Sequence, residues 1–104
     1  MALELHREET PRSVRLRLSG AVDLNSTPAL LKSLKAALRT GKREVIVDLE
    51  RVSHMDSSGV AALIEGVRGA RKNGVEFLLA RVPGPVFGVL DLAKLRGFFQ
   101  YREE

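Results

Sequence analysis

At 104 residues, 44% hydrophobic and 29% charged, the chain has the size and composition of one ordinary globular domain spanning residues 1–104, which excludes a disordered segment and leaves no room for a separate catalytic domain. Cysteine is absent, so disulfides, iron–sulfur clusters and thiolate metal sites are excluded. The formal charge is +4, but the basic residues are dispersed, as on solvated faces, and form no run resembling a nucleic-acid arm.

Val14, Leu16 and Leu18 alternate with Arg15, Arg17 and Ser19, the period of a half-buried strand with one wet face. Leu3 and Leu5 supply a partner strand across a turn at Thr10-Pro11, and Gly20 is expected to end the second strand. Thr27-Pro28 reads as a helix N-cap followed by proline at the first helical position. Leu30, Leu31, Leu34 and Leu38 then give one apolar helix face, and Gly41 stops it. Val45-Ile46-Val47 is a β-branched run, predicted as a strand through Leu49 that is buried on both faces.

A second helix is predicted after Asp56-Ser57-Ser58-Gly59, with Val60, Leu63, Ile64 and Val67 at helical spacing and Asn73-Gly74 closing it. Val75 to Ala80 is the next strand. Pro85 can start a third helix with Val86, Val89, Leu90 and Ala93 inward, and Phe98 to Tyr101 reads as a last short strand. The order β-β-α-β-α-β-α-β implies an α/β domain with a mixed, largely parallel sheet of four or five strands packed with about three helices.

The segment Val52-Ser53-His54-Met55-Asp56-Ser57-Ser58-Gly59 places two hydroxyls at a strand-to-helix turn. Free N–H groups and the helix dipole favour negative charge there, so a phosphate on Ser57 would be tolerated locally. Asp and Ser are also the standard N-cap residues, so capping alone accounts for the same pattern.

The run from Val45 through Gly59, with Leu18-Ser19-Gly20-Ala21-Val22-Asp23 before the first helix and Pro85 to Phe98 at the end, resembles the STAS domain of anti-sigma factor antagonists. The resemblance covers nearly the whole chain and implies a partner-switching cycle. In that family the unphosphorylated antagonist binds an anti-sigma factor that is also a serine kinase, and so releases the sigma factor. The kinase phosphorylates the first serine after the aspartate, which matches Ser57, and a serine phosphatase resets the cycle. By the same resemblance Asp23, Asp56, Ser57, Ser58 and Gly59 form the partner-binding surface. Asp56 orients the turn, Ser58 is a cap or hydroxyl neighbour, and Gly59 permits close approach of a partner. An alternative within the same family is a regulatory subunit of a phospholipid-trafficking ABC transporter, bound to its ATPase.

Other chemistries find little support. His6 and His54 lack metal-ligand spacing, and the serines follow His-Met-Asp rather than a Gly-x-Ser-x-Gly elbow. Gly84, Gly88 and Gly97 form no phosphate-binding loop, and Phe77, Phe87, Phe98, Phe99 and Tyr101 read as core. The expectation is a regulatory protein without enzymatic activity, cofactor, metal or direct nucleic-acid contact. Met1 to Glu9 is too polar for a signal peptide, and no stretch approaches the roughly 18 apolar residues of a membrane span, which points to the cytoplasm.

Overall fold

The computed structural model describes residues 2–104. Its strands are β1 (Glu4–Glu9), β2 (Ser13–Val22), β3 (Glu44–Met55), β4 (Glu76–Ala80) and β5 (Gln100–Arg102), and its helices α1 (Thr27–Leu38), α2 (Ser57–Asn73) and α3 (Gly84–Leu92). The five strands form one sheet in the order β1-β2-β3-β4-β5. Only the β1–β2 hairpin is antiparallel, and the other three pairings are parallel.

Each parallel crossover carries one helix, and every crossover steps in the same direction along the sheet. Crossovers share one hand, so all three helices fall on the same face. The core follows from this. Val14, Leu16, Leu18, Val45, Val47, Leu49, Phe77 and Leu79 pack with Leu30 and Leu34 of α1, Leu63 and Val67 of α2, and Val86 and Leu90 of α3. The opposite, helix-free face holds only a small apolar group, Ile46, Leu78 and Ala80. The strand buried on both faces is therefore covered in two ways, by helices on one side and by charged side chains on the other.

Those charged chains converge on Asp48, whose side chain is only 3% exposed. It accepts hydrogen bonds from Arg15 at 2.9 Å and from Arg81, and the Glu50 N–H donates to it at 3.1 Å. Arg17 lies 3.9 Å away, and Glu104 bridges Arg15 and Arg81 from the chain's C-terminal end. Burial alone would favour the neutral acid. The hydrogen bonds from Arg81, the Glu50 N–H and Arg15, with the charge of the arginines, outweigh it and hold the Asp48 carboxyl below the ordinary carboxylate range.

Two boundaries differ from the sequence-based expectation, for one reason. Gly20 does not end β2, which runs on to Val22, and β3 runs on from Leu49 to Met55. The extensions pair with each other, Ser19 with Arg51, Gly20 with Val52, Ala21 with His54 and Val22 with Met55, with bulges between Arg17 and Ser19 and between Gly20 and Ala21. Gly20 sits at φ +104°, where a Cβ would come within 2.6 Å of the Ala2 carbonyl oxygen, so glycine here makes a bulge rather than a stop.

Smaller shifts follow at other helix ends. The α1 cap position is Ser26 rather than Thr27, and its side chain bonds upstream rather than to the helix. Ala93 is exposed because α3 has ended at Leu92, and the final strand is preceded by a 3-10 turn at Arg96–Phe98 and occupies Gln100–Arg102. Among the described residues no helix is long and apolar enough to cross a membrane.

Candidate functional site

The extended parallel pairing of β2 and β3 sets up the site. Because Val22 pairs with Met55, the chain leaves the sheet side by side at Asp23 and Asp56, and the Asp56 N–H donates to the Val22 carbonyl at 3.2 Å. The β2–α1 loop and the start of α2 therefore share one end of the domain.

Asp56 is the N-cap of α2, with an extended backbone at φ −112° and ψ −173°. Its Oδ1 accepts from the Ser58 N–H at 2.9 Å, the Gly59 N–H at 3.2 Å and the Ser58 hydroxyl at 2.5 Å. The hydroxyl bond, reinforced by the two N–H donors and by His54, holds this carboxyl below its ordinary range, so it stays ionised as the cap.

The two serines are thereby made unlike. Ser58 is partly buried and its hydroxyl is committed to Asp56. Ser57, at the first helical position, is exposed, and its hydroxyl has no hydrogen-bond partner among the described residues. Asp56 and Ser58 build the cap, and the Ser57 hydroxyl is left outside it. One expectation needs correction. The N–H groups of residues 58 and 59 that would welcome a phosphate already serve Asp56, so a phosphate on Ser57 would meet a carboxylate rather than an empty helix terminus.

Gly59 has a role within the fold itself. It is buried, and a Cβ would lie 2.8 Å from Val22 Cγ1, 2.9 Å from Met55 Cγ and 3.0 Å from the Val22 carbonyl oxygen. Its missing side chain lets the start of α2 pack against the ends of β2 and β3, and so positions Ser57. Gly59→Ala is expected to destabilise the fold by about 1–3 kcal/mol through this crowding, as a lower urea midpoint with an unchanged slope.

Asp23 shapes its loop rather than offering a free carboxylate. Its Oδ1 accepts from the N–H groups of Asn25 at 3.0 Å and Ser26 at 3.2 Å, while its own N–H donates to Ser26 Oγ at 2.9 Å. The loop so fixed displays Leu24, which is 73% exposed. Sequence reasoning did not single out Leu24. The signal was there: a lone leucine among Asp, Asn, Ser and Thr in a turn has no structural reason to be apolar.

A family model described as "Mlab, STAS domain" matches residues 5–100. The chain belongs to the STAS domain family. Among curated proteins, an anti-sigma-B factor antagonist of Staphylococcus aureus is 22% identical over 103 residues, covering 99% of this chain and 95% of its own. Among solved structures, the anti-sigma factor antagonist SpoIIAA in its unphosphorylated form superposes with a TM-score of 0.79 at 24% identity, over 99% of this chain and 90% of that one. An anti-sigma factor antagonist from Mycobacterium paratuberculosis superposes with a TM-score of 0.85 at 19% identity, over 96% and 85%. The Bacillus cell fate determinant SpoIIAA has also been solved in a phosphorylated form, which superposes with a TM-score of 0.72 at 24% identity, over 99% and 93%. The five-stranded sheet with three helices on one face is the STAS fold that these structures share.

Proposed function

We propose that this STAS protein is an anti-sigma factor antagonist that works as a phosphorylation-controlled partner switch. The observation that carries the reading is the contrast between the exposed, unbonded Ser57 and the neighbouring Ser58, whose hydroxyl is held by Asp56. A kinase can reach the first and must break the cap to use the second. The similarity to antagonists along almost the full chain, one of them known in unphosphorylated and phosphorylated forms, supports the same reading.

In the proposed cycle the unmodified end of the domain, with Leu24 and Ser57 outermost and Asp23 and Asp56 shaping the two loops, docks on an anti-sigma factor that is also a serine kinase. Phosphorylation of Ser57 adds about −1.5 to −2 charge at neutral pH beside the Asp56 carboxylate. The partner must then desolvate two adjacent anions or let go. A serine phosphatase restores the neutral surface. A second reading keeps the surface and changes the partner to the ATPase of an ABC transporter; what favours it is that the matching family model is named for Mlab rather than for the antagonists.

The test is incubation with the cognate anti-sigma kinase and ATP, read by intact mass. Wild type and Ser58→Ala are expected to gain one phosphate and Ser57→Ala none. Phosphate on Ser57→Ala but not on Ser58→Ala would move the site to Ser58. No phosphate on any form, together with tight binding to a transporter ATPase, would replace the first reading by the second.

A further inference from the structure

The end of the helical layer away from Ser57 carries a second surface. Lys32, Lys35 and Arg39 follow one another along the exposed side of α1, and Arg68, Arg71 and Lys72 lie on the second half of α2. Against these six cations, five within the helices and Arg39 at the α1 C-cap, the two helices hold one carboxylate, Glu65, although the whole chain carries only +4. Glu65 pairs with Arg68 at 2.9 Å, and Arg71 lies over the Phe98 ring at 5.5 Å. Lys32, Lys35, Arg39 and Lys72 have no ion-pair partner among the described residues, whereas Arg15, Arg17 and Arg81 on the sheet's open face are all paired.

Complementing the helix dipoles does not account for this. That effect favours acids in the first turn as well as bases in the last. α1 has no acid at its start, α2 has only Asp56 at its cap, and Lys32 and Arg68 precede the last turns. Between the two helices runs a groove of about 300 Å³, walled by Leu31, Leu34 and Leu38 of α1 and by Gly66 and Gly69 of α2, and rimmed by Lys35, Arg68 and Lys72 with a single carboxylate, Glu65, among them. An apolar floor between the unpaired Lys35 and Lys72, with Arg68 shared with Glu65, calls for an apolar side chain flanked by negative charge.

We propose that this groove docks an acidic amphipathic segment of a partner protein, with its apolar residues between α1 and α2 and its carboxylates on Lys35, Arg68 and Lys72. Helix-in-groove recognition uses this arrangement, with anchors at i, i+3, i+4 and i+7. A bilayer fits less well. The large hydrophobic residues that stand well exposed, Leu24 and Leu92, lie off this surface, so nothing here would insert among lipids. Arg68 is eleven residues along α2 from Ser57, about 16 Å at 1.5 Å per residue. The groove and the switch surface can therefore be occupied together, and the groove does not depend on the switch reading.

The test titrates isotope-labelled protein with a short fluorescein peptide bearing leucines at i, i+3, i+4 and i+7 and glutamates elsewhere, read by amide shifts and by anisotropy. Saturable shifts are expected within residues 31–38 and 65–72 and not at Ser57. The combined variant Lys35→Glu, Arg68→Glu, Lys72→Glu is expected to bind roughly tenfold more weakly or worse, and single Lys35→Glu and Lys72→Glu variants to fall between, with circular dichroism unchanged. Glu65→Gln should tighten binding by releasing Arg68, and Ser57→Asp should leave it unchanged. Binding that is equal for a leucine-scrambled peptide, or insensitive to the charge reversals, would overturn the proposal. So would cosedimentation of the wild type with phosphatidylglycerol–phosphatidylcholine vesicles that the peptide fails to compete away, which would make the surface a membrane contact.

Discussion

On the proposed function, Ser57→Asp is expected to leave the fold intact and weaken binding to the proposed anti-sigma partner by about 100-fold, close to 3 kcal/mol at 1.4 kcal/mol per decade. The effect should fall on binding because of where the side chain stands. Ser57 is exposed and bonded to nothing within the described chain, so exchanging it disturbs no internal contact. In the complex the new carboxylate would sit beside Asp56, itself held ionised by the Ser58 hydroxyl and the α2 N–H groups, and like charges forced together at an interface cost several kcal/mol. Ser57→Ala removes only an unbonded hydroxyl and should bind as the wild type does while becoming resistant to the kinase. Calorimetric titration of the three forms, with urea melts alongside, separates binding from folding. Wild-type affinity in a folded Ser57→Asp protein would mean that the partner docks elsewhere.

The largest loss of stability is expected at Asp48. Asp48→Ala should cost about 3 kcal/mol, the low end of what breaking a buried ion pair costs, because Arg15 and Arg81 are 18% and 33% exposed and can turn partly to water. Asp48→Asn keeps an acceptor for the Glu50 N–H and should lose less. The pH dependence carries the same signature. The Asp48 carboxyl is depressed in the folded state, so its contribution is complete above the unfolded value of about 3.9 and is lost as pH falls through the lower folded value. Glu44 behaves alike, its carboxyl lowered by the Ser13 hydroxyl and, despite some burial, by Arg102. Wild-type stability should therefore drop on acidification below about pH 4, and Asp48→Ala should show a shallower acid limb in urea melts repeated across pH. An identical acid limb in the variant would remove Asp48 from this account.

The three helix starts were legible because their signals are local: Asp56 ahead of two serines, proline at position 28, and Pro85 in the rigid Pro83-Gly84-Pro85 turn. The parallel sheet was legible from the alternation of two hydrophobic periods. The last two residues of β2 and the second half of β3 were not, because each is strand only by virtue of the other, and Gly20 gives the same local signal whether it ends a strand or bulges one. The open face was misjudged for a similar reason. Arg15 and Arg17 read as a solvated stripe, but their partner Asp48 and its other ligands, Arg81 and Glu104, come from distant parts of the chain. At the site, the Asp-Ser-Ser-Gly run located the turn, while the division of labour between Ser57 and Ser58 depended on which hydroxyl the Asp56 carboxylate faces.

The in-order strands also bear on how the molecule assembles. Sheet position equals chain position from β1 to β5, so no strand must be inserted between two already paired. A chain growing from its N-terminus can close the β1–β2 hairpin first and then add each helix and strand to the open edge beside the strand just made. Contacts of this kind span one unit at a time, which keeps loop-closure costs small and favours rapid folding for a mixed α/β domain. The last edge to be covered is that of β4, and the three-residue β5 that covers it is the shortest strand of the sheet, so the seam between them is where fraying should begin in hydrogen exchange.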